Sequence, residues 1–279
     1  MSEITVFTFS GDWGLPSTGP FALKLLKWLD IAGLGYRHVI QENPAKGPKG
    51  KNPWIELDGK RIGDSEIIIS LLASKTGFNI DGSLSNVERA KTHAVRRMLE
   101  EHLHQVLEWE LFMHPAGAVQ VRKIAGTIAP AFLAGTAQSM ISRHFRKQLY
   151  ARGIARHSEA EIIQKGIADI EAFETILGDR TFLGGAQPCM ADVSAYGLLA
   201  PLARWPMSTP VANNIKSRPT LMSYLDRMAG IKSQSKRTTF STPQSLDESS
   251  TIQNSPIKSR STTPDRTSQL NSDFWWPCW

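Results

Sequence analysis

Between Ile4 and Gly77 the chain changes its hydrophobic period from one element to the next, and from Asn79 to about Gly230 it keeps the helical period. That switch narrows the available folds more than any single residue does, because a period of two places side chains on alternate faces of a strand while 3.6 places them on one side of a helix. "ITVFTF" (residues 4–9) reads as a strand ended by Ser10, Gly11 and Asp12. Phe21, Leu25, Trp28, Leu29 and Ala32 then recur at helical spacing, with Pro20 suited to the first helical position and Gly33 placed to stop the helix. "YRHVI" offers a second strand, and "WIELDGKRI" a hairpin whose Asp58-Gly59 pair is a two-residue turn signal. "DSEIIISLLASKTG" is a helix with Asp64 or Ser65 as its cap and Gly77 as its stop. The order is β-α-β, a loop, then β-β-α.

The helical part begins with "SNVERAKTHAVRRMLEEHL", where Ser85 and Glu88 have the spacing of a capping box, and Ser158 and Glu161 repeat it before Ile163, Ile167 and Ile170. Cys189 and Asp192 stand three apart in "PCMADVSAYG", which makes Asp192 a structural cap reaching back to a helix start. The expected organisation is residues 1–78 as an α/β unit, 79–230 as an all-α bundle, and 231–279 as a disordered tail rich in Ser, Thr, Gln and Asn that ends in "FWWPCW".

Composition excludes several classes. The two cysteines, Cys189 and Cys278, lie too far apart in sequence for a CxxC redox centre and are too few for a disulfide scaffold or a cysteine zinc site. No run of about 18 apolar residues occurs and the N-terminus lacks a secretory pattern, so the expectation is a cytoplasmic protein with no membrane span and no metal. A net charge of +6 suits small anionic ligands as well as nucleic acid. Arg143, Arg146, Lys147 and Arg152 gather on what reads as a solvated helix face, and with no recognition motif beside them no nucleic acid is expected. Glu101 and His104 form a single E-x-x-H pair, read as surface ion pairing because no second copy completes a di-iron set.

The stretch "STGPFALK" places two hydroxyls and Gly19 before a proline-initiated helix. Such a helix start carries unpaired N–H groups and partial positive charge, and so favours an anion. Taken alone, Ser17 and Thr18 are equally good as helix-capping residues with no chemistry, Asp64 and Ser65 as an ordinary cap, and Pro53 as a strand-opening proline.

The segments "STGPFALKLLKWLDIAGLGY", "GPKGKNPWIELDGKRIGDS", "ARHSEAEI" and "DRTFLGGAQPCMADVSAYG" together resemble the glutathione S-transferase superfamily, in the bacterial branch related to failed-axon-connections and metaxin proteins. The resemblance spans residues 4 to 230 and implies a thioredoxin-like N-terminal domain followed by a helical-bundle domain. It implies that Asn52 precedes a cis Pro53 and offers its backbone to glutathione, and that Asp64 and Ser65 receive the γ-glutamyl end. The anion at the first helix would then be the thiolate of glutathione. Ser17 is the candidate catalytic hydroxyl and Thr18 the second, because the position directly before Pro20, a serine or cysteine in many relatives, is Gly19 here. A hydroxyl donor worth about 1.5–3 kcal/mol and a helix start worth about 0.3–2 would bring a thiol of pKa about 8.5 into ionisation near neutrality. The resemblance further implies transfer of glutathione, as co-substrate, to a small hydrophobic electrophile in an apolar interdomain cleft, and a homodimer as the common assembly. The alternative it carries is a non-catalytic binding or scaffold protein that kept the fold, which Gly19 favours.

Overall fold

A computed structural model describes residues 3–232 and 237–241 of the chain. Strand β1 (Ile4–Thr8) runs parallel to β2 (Tyr36–Ile40) across the helix α1 (Pro20–Ile31), and antiparallel to β3 (Trp54–Leu57), which pairs in turn with β4 (Lys60–Gly63). Helix α2 (Ser65–Thr76) closes this unit, so the expected β-α-β, β-β-α order forms a thioredoxin-like sheet. The β3–β4 turn holds Asp58 at φ 52° and Gly59 at φ 70°, the two positive values that an Asp-Gly hairpin turn requires. Gly77, at φ 73°, ends α2 in the left-handed conformation that costs glycine least.

From residue 86 to 230 the structure is helical. Helix α3 (Asn86–Arg97) continues through a π-helical turn over Met98–Leu103 into α4 (His104–Phe112). After it come α5 (Ala118–Ile128), α6 (Ala134–Ala151), α7 (Glu159–Leu177), α8 (Met190–Arg204), α9 (Pro210–Lys216) and α10 (Pro219–Gly230). Both capping boxes form: Ser85 and Ser158 each accept from the N–H three residues on, while Glu88 and Glu161 accept from the cap N–H groups at 2.8 Å.

Two apolar cores result. One fills the space between the sheet and helices α1 and α2 around Trp28, Ile55 and Leu72, and the other fills the bundle around Leu103, Phe173 and Tyr224. They meet where α1 lies on α8, so Leu23 of α1 belongs to the bundle core while Met190 and Val193 of α8 belong to the sheet core. Within the stretch read as an unstructured tail, Arg237–Ser241 form a strand β5 parallel to β2. It pairs the backbone groups along an otherwise open sheet edge. The remainder of the expected tail, with "FWWPCW" and Cys278, lies outside the described residues. Among the described residues no helix is long and apolar enough to cross a membrane.

Candidate active site

A cleft of about 450 Å³ opens between the sheet unit and the bundle, within the range usual for small-molecule sites. Its sheet-side wall is made by Phe21 and Lys24 of α1, by Lys49, Lys51, Asn52 and Pro53 in the loop before β3, and by Asp64, Ser65 and Glu66 at the start of α2. The Asn52–Pro53 peptide is cis. Asn52 is anchored by its Nδ2, which donates to the Gln41 carbonyl at 2.8 Å, while its buried Oδ1 has no hydrogen-bond partner. Asp64, at φ 86°, turns the chain sharply from β4 into α2, and its carboxylate accepts from the N–H groups of Glu66 (2.9 Å) and Ile67 (3.3 Å). Four sequence candidates, Asn52, Pro53, Asp64 and Ser65, are therefore brought together on one wall.

Ser17, Thr18 and Gly19 do not line this cleft. Ser17 is 0% exposed, and its Oγ accepts from the Gly19 N–H at 3.2 Å, as a local cap would. Thr18 is also buried, with its N–H donating to the Ser10 carbonyl at 3.0 Å. A Cβ added to Gly19 would point toward Phe9 at 3.4 Å and Ala22 at 3.5 Å, inward rather than toward the opening. The hydroxyls sit under the helix start because Pro20 opens the helix and the preceding residues turn back along Ser10 to reach it.

The bundle-side wall carries charge, where the sequence suggested an apolar surface. Arg97, Glu100, Glu101, His104, Glu108, Gln148 and Arg152 face the opening, with Phe21 and Pro53 across from them. Lys24, only 1% exposed, bridges Glu66 at 2.9 Å and Glu100 at 2.7 Å, and so ties α1 to both α2 and the π-helical turn. Arg96 also pairs with Glu66, Arg97 reaches Glu100 at 2.6 Å, and the buried Ser194 hydroxyl donates to Glu100. Burial works to raise the Glu66 pKa, but the Arg96 hydrogen bond and then Lys24 outweigh it and hold the carboxyl down to about 2.

Deeper in the cleft, His104 and Glu108 lie one turn apart on α4. His104 is not part of a surface pair with Glu101, whose partner is Arg97 at 3.1 Å. It is buried, its ring meets Phe21 edge-on at 5.0 Å, and its Nε2 makes no hydrogen bond, with the Glu108 Oε1 3.9 Å away. Burial, with Arg152 and Lys51 adding like charge, pushes its pKa down to about 3, so the imidazole is neutral. Glu108 is 3% exposed and faces the Arg152 guanidinium at 2.7 Å. Burial pushes its carboxyl up to about 7 against the opposing pull of Arg152. Arg152, itself still exposed like Arg143 and Arg146, thus spends its guanidinium on Glu108. Cys189 offers no competing nucleophile, because it is buried and its thiol is pushed up to about 12.

His104, Glu108 and Arg152 were not singled out for this site from the sequence. The available signal was "VLEWELF", where two carboxylates sit inside an otherwise apolar helix. Buried charge of that kind needs either a capping role or a chemical one.

Two family models match the chain: the glutathione S-transferase N-terminal domain over residues 20–117 and the glutathione S-transferase C-terminal domain over residues 166–228. The isoprene-epoxide glutathione S-transferase of Rhodococcus sp. (strain AD45) is 30% identical over 241 residues, covering 81% of this chain and 97% of that protein. Failed axon connections of Drosophila melanogaster is 31% identical over 71% of this chain, which spans 50% of its length. Metaxin-1 of Mus musculus is 27% identical, with 71% of this chain matching 65% of that one. Among solved structures, a glutathione transferase from Phanerochaete chrysosporium superposes with a TM-score of 0.58 at 16% identity, over 83% of this chain and 98% of that one. At such identity the likeness concerns the fold.

Proposed function

The chain belongs to the glutathione S-transferase superfamily, related within it to Failed axon connections and the metaxins, and from that premise we propose that it transfers glutathione to a small electrophile. The observation that carries the proposal is the convergence, in one cleft, of the cis Asn52–Pro53 peptide, Ser65 at a helix start and the lysines Lys49 and Lys51. Glutathione is an extended anion with a carboxylate at each end. Ser65 suits the γ-glutamyl carboxylate through its own hydroxyl and N–H, since Asp64 already takes the Glu66 and Ile67 N–H groups at the start of α2. Lys51 suits the other end, since Lys49 lies 3.9 Å from Asp64 at the γ-glutamyl end, and the backbone at Asn52 suits the peptide between the two ends. The sulfur would then lie near Phe21, where the partial positive charge of the α1 start lowers its pKa. The relative acting on isoprene epoxide supports small electrophiles as the second substrate. A cytoplasmic location, a role in detoxification and a homodimer belong to the same reading.

A second reading, a glutathione-fold binding or scaffold protein without catalysis, is favoured by one feature. The hydroxyls of Ser17 and Thr18 are buried away from the cleft, and Gly19 brings none. Retention on immobilised glutathione, followed by a conjugation assay, separates the two. A transferase is retained and conjugates, and a Ser65→Ala variant raises KM for glutathione about tenfold, as loss of one hydrogen bond to a charged group would. Retention without conjugation favours the scaffold, and no retention removes glutathione from both readings. Ser17→Ala and Thr18→Ala in the same assay decide whether either hydroxyl reaches the sulfur.

A further inference from the structure

We propose that Glu108 is a proton donor in this cleft, delivering its hydrogen to the oxygen of a strained cyclic ether as the sulfur of glutathione opens the ring. The proposal rests on the transferase reading above and names the class of electrophile that such a transferase serves.

Placement is the first argument. Glu108 lies on the cleft wall, across from Phe21 and Pro53, on an α-helix whose neighbouring turn presents the neutral His104. The comparison with Glu110 shows what a structural carboxylate on the same helix does. Glu110 spends both oxygens on the start of α9, accepting from Thr209 Oγ1 and the Val211 N–H at 2.6 Å and from the Ala212 N–H at 3.3 Å. Glu108 caps nothing, and its neighbours are Arg152 and His104, both lining the same opening. Apart from its ion pair with Arg152, a carboxyl so placed is left to the contents of the cleft.

The chemistry is the second argument. Attack by the thiolate forms a C–S bond and breaks a C–O bond, and the departing oxygen keeps the electron pair as an alkoxide. That strongly basic oxygen takes the proton of Glu108, and the carboxylate left behind is neutralised by Arg152 at 2.7 Å. The proton that glutathione releases to solvent on ionising balances the one Glu108 takes back from solvent. Displacement of a halide, by contrast, leaves a weak base that needs no proton, so a proton donor would be idle there.

The charged and titratable groups facing Glu108 are His104 on its own helix, Arg152 at the end of α6 and Lys51 from the loop before β3. His104, lowered to about 3, is neutral near pH 7, whereas the Glu108 carboxyl, raised to about 7, changes state there.

The experiment measures kcat with glutathione for styrene oxide and for chlorodinitrobenzene, and takes their ratio. General acid catalysis contributes about 10²–10⁴-fold, so Glu108→Gln is expected to lower the ratio at least about 100-fold. In the wild type the same ratio is expected to fall about tenfold per pH unit above about 7, a readout that stands even if the variant does not fold. An unchanged ratio in a folded Glu108→Gln protein, or a wild-type ratio flat with pH, overturns the assignment of Glu108 and leaves the transferase reading in place. A wild type that conjugates neither compound overturns both.

Discussion

Two glutamates in "VLEWELF" show how far one residue's role depends on its direction. Glu108 and Glu110 share a helix and an apolar neighbourhood, but at 100° per residue they point about 200° apart. One faces the cleft and the other the start of α9. The sequence reveals that both are anomalous and is silent on which is which, because the partners Thr209 and Arg152 lie 99 and 44 positions away. Asp192 was legible for the opposite reason. Its capping contact, from the Cys189 N–H at 2.8 Å, is three residues away, and local spacing is what a sequence displays. The sequence did not display the rest of its role: Asp192 also accepts from the Leu183 N–H at 2.7 Å, the Gly184 N–H at 3.2 Å and the Tyr224 hydroxyl at 2.9 Å. Asp192→Ala strands all of these buried donors, and is expected to cost about 4 kcal/mol in urea unfolding. A loss below about 1 kcal/mol would mean that water replaces the carboxylate.

At the scale of elements, the periodic segments became the helices and strands expected of them, because amphipathic period is a local property. The packing between them was not readable. Lys24 and Lys27 sit on α1, whose apolar residues predicted a buried face, and both lysines are buried too. Lys24 is tolerated there because Glu66 and Glu100 arrive from 42 and 76 positions away. Where α1 crosses α8, a Cβ on Gly197 would stand 2.6 Å from the Pro20 carbonyl oxygen and 3.1 Å from Lys24 Cβ. The glycine therefore sets how close the two helices come. Gly197→Ala must push the start of α1 outward, which is expected to lower stability by about 1–3 kcal/mol. Because Phe21 and Lys24 line the cleft, under the transferase reading the same shift is expected to raise KM for glutathione. Thermal unfolding and steady-state kinetics on one preparation check both, and an unchanged melting temperature would show that the helices have room to spare.

For the whole molecule, the cleft couples folding to pH through two groups that oppose each other. His104 has its pKa lowered from 6.5 to about 3, so the unfolded chain binds the extra proton between those values and stability rises with pH across them. Glu108 has its pKa raised from 4.5 to about 7, so the folded chain binds the extra proton between those values and stability falls with rising pH there. Each slope is about 1.4 kcal/mol per pH unit, and the two cancel where they overlap, between pH 4.5 and 6.5. Below pH 4.5 Glu108 no longer opposes His104, and Glu66, lowered to about 2, adds a further loss on acidification. Solvent screening keeps the Glu66 part small, since its side chain is 47% exposed. The two cleft groups can be separated by comparing variants with the wild type in urea unfolding across this window. His104→Gln leaves Glu108 unopposed, so its stability relative to wild type should fall by about 2–3 kcal/mol from pH 4.5 to 6.5. Glu108→Gln leaves His104 unopposed and should gain by the same amount over the same range. Relative stabilities that run parallel in both variants would show that the two side chains are solvated in the folded protein, and that the charged wall of this cleft is open to water rather than shielded from it.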